Sequence, residues 1–313
     1  RPAMPSPSNT SVNVVVDGKV VASATGSQSE ALSWTSLDMS QWVGRRAQIV
    51  IEDNNATTEY GHLLVDSITA SDTRGFAPQD VMPILDHGRD DYAAVTWNGA
   101  PDGARYGIGW MSNWSYAGAL PTSTWRTAMT IPRQYELRTV NGRILMTSTP
   151  VEALSTLHTG TPFIADRTAV DGTVNLMQSG ESAYDMDLTL DPGSSRSSGV
   201  KVHVGPGEET VIGYDRGTGE IYVDRTRSGL TDFSPSFPSV SRAPVTVGAD
   251  GLVRLRVVVD RSSVEVFAQD GEAAITSAVY PSPGATGVGL FSEGGSAPAT
   301  RKSMRLASSS LTT

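Results

Sequence analysis

The chain has 313 residues, 38% of them hydrophobic, and a formal net charge of −9. That length suggests about two domains and enough apolar matter for a sizeable core. No apolar run approaches the ~18 residues of a membrane span, and the acidic balance argues against nucleic acid or an anionic membrane as partner. With no cysteine, disulfides, thiol catalysis and cysteine-ligated metals are excluded.

The opening RPAMPSPSNTS is polar and Pro-rich and reads as a linker or a cut end. From there the pattern is that of β structure. Short runs of Val, Ile and Thr alternate with turn pairs such as Asp17-Gly18, Asn98-Gly99, Asn141-Gly142, Asp171-Gly172, Asp250-Gly251 and Asp270-Gly271, which mark hairpins. Long helical periodicity is absent, so the chain reads as all-β. A first unit carries a hairpin (Val12–Val16 with Lys19–Ala24), a Trp-containing stretch at Ser33–Trp42, a strand at Ala47–Glu52, a loop at Asp53–Gly61 and a strand at Leu63–Thr69. Residues 73–82 read as a linker. Strands follow at Tyr92–Trp97, Tyr106–Met111, Ala128–Thr130 and Glu136–Thr139, the last extended by Arg143–Thr147. Beyond them many strands recur with turn signals every 8–12 residues, the spacing of a sandwich.

The richest stretch is IGWMSNWSYAGALPTSTWRTAMTIPR, Ile108 to Arg133, with Trp110, Trp114 and Trp125 among Gly and Pro. Such a segment is either a tightly packed corner or a sugar-binding wall, because the C–H face of a sugar stacks on an indole while amides and carboxylates take its hydroxyls. Trp110 is expected in the core. Arg126 and Arg133 read as braces for carboxylates or as surface charges. In DRSSVEVFAQDG, Asp260, Glu265 and Asp270 read as a solvated strand face rather than an acid/base pair. His62, His87, His158 and His203 are scattered without ligand spacing, so no metal is expected. No phosphate loop and no Ser-His-Asp constellation can be argued.

Three stretches, in order, carry a resemblance: LDHGRDDYAAVTWNG (Leu85 to Gly99), which fits D-x-G-x-D-x-Y-A-A, the tryptophan segment, and DRSSVEVFAQDGEAAITSAVYPSP (Asp260 to Pro283). Together they resemble glycoside hydrolase family 32, the invertases, levanases and exo-inulinases. The resemblance implies the last blade of a five-bladed β-propeller followed by a C-terminal β-sandwich, with a small β-sandwich inserted at the N-terminus. The implied boundaries are 1–75 for the inserted sandwich with its linker, 76–150 for the closing blade and 151–313 for the C-terminal sandwich.

Carried over by motif, Trp114 would line the pocket for the terminal fructosyl ring and Asp90 would accept its hydroxyls. Asn113 beside Trp114 is a candidate for a further hydroxyl contact or for a turn. The alternatives are a core role for Trp114 and a turn cap for Asp90. Asp91 stands where the family usually has an aromatic or apolar residue, and Asp86 reads as structural.

The family's nucleophile motif W-M-N-D-P-N-G, its R-D-P and its E-C are absent, and the one Asp-Pro pair, Asp191-Pro192, follows Leu190. The chain is therefore expected to be the C-terminal portion of a retaining β-fructofuranosidase, with no catalytic acid of its own and inactive alone. It would act on terminal β-fructofuranosyl residues of sucrose, levan or inulin, by hydrolysis or by transfer. The expected partners are that substrate and an N-terminal catalytic segment of the same enzyme. No cofactor is implied, and the family places the protein outside a bacterial cell. The alternative is a non-catalytic carbohydrate-binding or structural β-sandwich protein.

Overall fold

A computed structural model describes residues 10–27, 32–55, 62–72, 84–100, 102–170, 172–178, 181–294 and 303–311. The chain divides into two compact units, Arg1–Met82 and Pro83–Thr313. As expected it is all-β. Among the described residues no helix is long and apolar enough to cross a membrane.

In the first unit β1 (Thr10–Val16), β2 (Lys19–Ala24) and β3 (Ala47–Asp53) form an antiparallel sheet in the order β2-β1-β3. Asp17 and Gly18 both take positive φ, 50° and 74°, which gives the turn the twist a two-residue hairpin needs. Asn13 on β1 is buried. Its amide donates to Ser11 and Glu52 and accepts from Ser23, at 3.0, 2.6 and 2.7 Å. Among the described residues no strand forms at Leu63–Thr69, where one was expected. The expected linker, 73–82, lies outside the described residues.

The second unit begins with a five-stranded sheet. Its strands are β4 (Tyr92–Thr96), β5 (Arg105–Met111), β6 (Ala128–Met129), β7 (Arg133–Val140) and β8 (Arg143–Pro150). The order is β4-β5-β7-β8, with β6 paired to β5. Asn141 and Gly142, at φ 49° and 78°, turn β7 back on β8, so Arg143–Pro150 is a strand of its own and not an extension of β7.

Twelve strands follow: β9 (His158–Ala169), β10 (Gly172–Gln178), β11 (Tyr184–Leu190), β12 (Ser197–Gly205), β13 (Glu208–Asp215), β14 (Glu220–Arg227), β15 (Val240–Pro244), β16 (Val253–Asp260), β17 (Ser263–Ala268), β18 (Ala273–Ala278), β19 (Gly287–Glu293) and β20 (Ser303–Leu311). They make two six-stranded sheets, β10-β19-β12-β13-β14-β15 and β18-β17-β16-β11-β20-β9. Leu188, Leu190, Val257, Val266 and Ile275 of one share a core with Val200, Ile212, Ile221, Val223 and Leu290 of the other. Each such fully buried side chain contributes about 1.5–3 kcal/mol. The Asp250-Gly251 pair makes no hairpin, since β15 and β16 belong to different sheets. A turn pair reports a local bend, not which strands it joins.

The solvated face expected at Asp260–Asp270 is corrected at its centre. Asp260 and Asp270 are exposed, but Glu265 is buried. Strand β17 lies between β18 and β16 and is covered on both faces. Val264, Val266 and Ala268 face the shared core, while Phe267 packs with Leu154, Val258 and Ala274, against which Ile131 also lies.

The five-stranded sheet reaches the pair through the segment 86–91, which runs along the open edge of β18. His87 N–H donates to the Ala274 carbonyl at 2.8 Å. The N–H groups of Thr276 and Ala278 donate to the carboxylates of Asp86 and Asp90, both at 2.9 Å. Alternate edge donors of a strand that would otherwise be open are thus capped by alternate acids. Gly88 lies between them, and a Cβ there would overlap the backbone of Thr276. Gly88→Ala is therefore expected to cost about 1–3 kcal/mol by forcing backbone apart, read as a lower Tm by calorimetry. Gly118→Ala, with open space at its Cβ, should stay within about 0.5 kcal/mol of wild type.

Candidate functional site

Strands β4 and β5 pair Tyr92 with Trp110 across the ladder, and the two rings meet edge-on at 6.0 Å. Trp114 follows β5 on a turn and lies tilted against Trp110, ring centres 4.9 Å apart. It is 73% exposed. Trp110, expected in the core, is instead the half-buried middle of this stack. Trp125 is exposed as well and is not part of it. An exposed indole backed by a second ring is a rigid apolar plate that costs little entropy to present.

The turn under Trp114 is built by Asn113. Its carbonyl oxygen Oδ1 accepts the Ser115 N–H at 2.9 Å, and its Nδ2 donates to the Arg89 carbonyl at 3.0 Å. Its backbone carbonyl accepts from Tyr116 and Ala117 at 3.1 and 2.9 Å. These bonds give Asn113 a part in the turn.

Asp90 does not present its carboxylate outward. Its side chain is fully buried. Oδ1 accepts from the Tyr116 hydroxyl, and Oδ2 accepts from Arg225 and from the Ala278 N–H. Both oxygens of the carboxylate expected to face the sugar are thus occupied within the fold. Arg225 is itself buried. Its Nη2 donates to the Tyr116 hydroxyl at 2.9 Å, its Nε to the Phe237 carbonyl and Ser239 hydroxyl at 2.9 Å, and its plane lies over Phe237 at 4.1 Å. Tyr116, Leu120, Phe237 and Ala278 close the apolar shell, with Phe233 and Tyr280 against it. Burial, then the charge of Asp90, raises the Tyr116 hydroxyl pKa, so it stays a neutral donor. Tyr280 is pushed up to about 12, chiefly by burial.

A second buried guanidinium lies on β7. Arg133 pairs with Asp86 and Glu265 at 2.7 Å and Asp91 at 3.0 Å, and donates to the Thr276 hydroxyl. Of the two arginines read as braces or surface charges, Arg133 is a brace. Arg126 donates to the Leu120 carbonyl at 2.6 Å and holds no carboxylate. Burial alone would lower the Arg133 pKa; its carboxylates outweigh that and raise it. One cation facing three buried acids leaves negative charge in excess. Accordingly burial, against the pull of Arg133, raises the pKa of both Asp91 and Glu265. Asp91 Oδ1 is buried without a hydrogen-bond partner and occupies the place a side chain on Gly109 would need.

Sequence reasoning missed Arg225, Glu265 and Thr276. Glu265 was read as solvated, and the ion-pair or guanidinium partner of each lies more than a hundred residues away in the chain.

Two family models match. "Glycosyl hydrolases family 32 N-terminal domain" matches residues 47–148 and "Glycosyl hydrolases family 32 C terminal" matches residues 153–308. A protein of Aspergillus rugulosus, ecdE, that carries the name of a glycosyl hydrolase is 41% identical over 91% of this chain and 41% of its own length. The levanase of Bacillus subtilis is 38% identical over 70% of this chain and 33% of its own. The extracellular exo-inulinase of Aspergillus awamori is 37% identical over 67% of this chain and 40% of its own. The crystal structure of exo-inulinase from that organism superposes with a TM-score of 0.68 at 30% identity, covering 86% of this chain and 50% of that one. The chain thus spans half or less of the length of these relatives.

The Arg133 cluster sets a pH dependence. A carboxyl whose folded pKa is raised binds more protons in the folded chain than in the unfolded one. Its contribution to stability is greatest below the unfolded value and declines as pH rises through the folded one. Asp91→Asn removes one such acid. Relative to wild type, it is expected to gain stability as pH rises from about 4 towards neutrality, read from Tm across that range. A difference that falls with rising pH would contradict the assignment.

Proposed function

The chain belongs to glycosyl hydrolase family 32, and we propose that it is the C-terminal portion of a retaining β-fructofuranosidase acting on terminal β-fructofuranosyl residues of sucrose, levan or inulin. In this reading the five-stranded sheet is the closing blade of a β-propeller and the two six-stranded sheets are the C-terminal sandwich. Residues 1–75 form a small inserted sandwich, of which the sheet β2-β1-β3 is the described part. The names of the levanase and exo-inulinase relatives support the substrate class, and the extracellular exo-inulinase supports a place outside the cell.

The observation that carries the reading is Trp114: an exposed indole stacked on Trp110 at the edge of the sheet. It stands where the family motif sets a wall for the fructosyl ring. Hydrolysis with retention needs two carboxylates, a nucleophile and an acid/base. The motifs that carry them are absent from this sequence, so an upstream segment supplies both, and this chain's part is positioning. Trp114 holds the apolar face of the sugar while the upstream acids act on its anomeric carbon. Asn113 and Asp90 contribute by shaping the turn from beneath, not by touching the sugar.

The test is fructose release from sucrose and from levan, by the chain alone and joined to an upstream segment bearing the three motifs. Release by the joined protein only is the expected result. Release by the chain alone would overturn the assignment of the acids. Inactivity of both with retained levan binding would favour a carbohydrate-binding protein. In the joined enzyme Trp114→Ala is expected to lower kcat/KM by about tenfold or more through lost positioning. Because the side chain is exposed, the Tm should change little.

A further inference from the structure

We propose that Arg225 and Tyr116 are positioning residues of the sugar site, through which the double-sheet layer sets the place of Trp114. The proposal rests on the reading of Trp114 as the sugar wall. The turn that carries Trp114 is held at both ends by one buried guanidinium. On one side Arg225 Nη2 donates to the Tyr116 hydroxyl at 2.9 Å, two residues beyond Trp114. On the other, Arg225 Nη1 pairs with Asp90, whose neighbour Arg89 accepts the Asn113 amide at 3.0 Å. The Tyr116 hydroxyl closes the loop by donating to Asp90.

Arg225 is itself anchored by the Phe237 and Ala278 carbonyls and the Ser239 hydroxyl. It has no route to adjust without leaving buried donors unpaired. Trp114, by contrast, is 73% exposed and its ring contact is with Trp110, so its placement depends on the backbone beneath it. The relay ends on a residue that meets substrate, although Arg225 lies 111 positions away in the chain, on β14.

Tyr116→Phe is the mild probe, because it removes one hydroxyl and leaves the ring against Phe237, centres 5.3 Å apart. In the joined enzyme it is expected to raise KM for sucrose about tenfold by displacing the wall, with kcat changed much less. Arg225→Lys keeps the charge but loses the fork and should act in the same direction. The decisive measurement is a double-mutant cycle: in a Trp114→Ala background, Tyr116→Phe should add nothing further to KM. Additive effects, or an unchanged KM with only a lowered Tm, would mean the hydroxyl serves stability alone and would overturn the proposal.

A second readout does not depend on activity. Indoles 4.9 Å apart couple, and the circular dichroism signal of the pair is what Trp114→Phe removes. Tyr116→Phe should diminish that difference signal in the chain itself. If the joined wild type releases no fructose, the functional reading fails, while this signal still decides whether the relay places Trp114. An unaltered signal in Tyr116→Phe would sink the relay.

Discussion

The second unit depends on two buried guanidinium groups, each held by carboxylates that also cap the free edge of β18. Asp86 and Asp90 each do two things at once. One accepts from the Thr276 N–H and pairs with Arg133; the other accepts from the Ala278 N–H and pairs with Arg225. A strand edge left open invites wrong pairing, and a carboxylate buried alone is costly. Setting the acids on the edge and an arginine behind each one resolves both difficulties with the same atoms. The alternation in Asp86-x-x-x-Asp90 against Thr276 and Ala278 leaves little freedom in how the five-stranded sheet meets its neighbour.

Such pairs do not act chiefly by adding stability, since desolvation offsets much of their attraction. The apolar clusters beside them, Tyr116 with Phe237 and Leu154 with Phe267, supply the attraction that holds the layers. The ion pairs supply direction, because a fork accepts few orientations. Arg133, with one positive charge among three acids, leaves a surplus that Asp91 and Glu265 relieve by keeping protons longer than a free carboxyl does. The Arg225 hub has no such surplus: one acid, one base and a hydroxyl that stays protonated. The hub under the Trp114 turn is thus the more nearly neutral of the two.

Parts of the five-stranded sheet are apolar and open. Tyr92 and Val95 on β4, Leu137 on β7 and Ile144 on β8 are all more than half exposed. Under the proposed function, further blades would cover part of this surface and Trp114 would face the pocket they complete.

Much of the architecture was legible locally. Asp17-Gly18, Asn141-Gly142 and the Val/Ile/Thr runs between them specify strands and tight turns through φ preferences and side-chain alternation, which depend on near neighbours. The D-x-G-x-D-x-Y-A-A stretch was legible as a motif, and Gly88 shows why it needs its glycine. What the sequence by itself determined is the all-β class, the hairpins, the family and the absence of the catalytic motifs. The partners of Asp90, the burial of Glu265, the separation of β15 from β16 and the tie from Arg225 to Tyr116 were decided by tertiary structure alone. Each joins residues far apart in the chain, and a strand's own alternation does not say whether its second face meets water or another sheet.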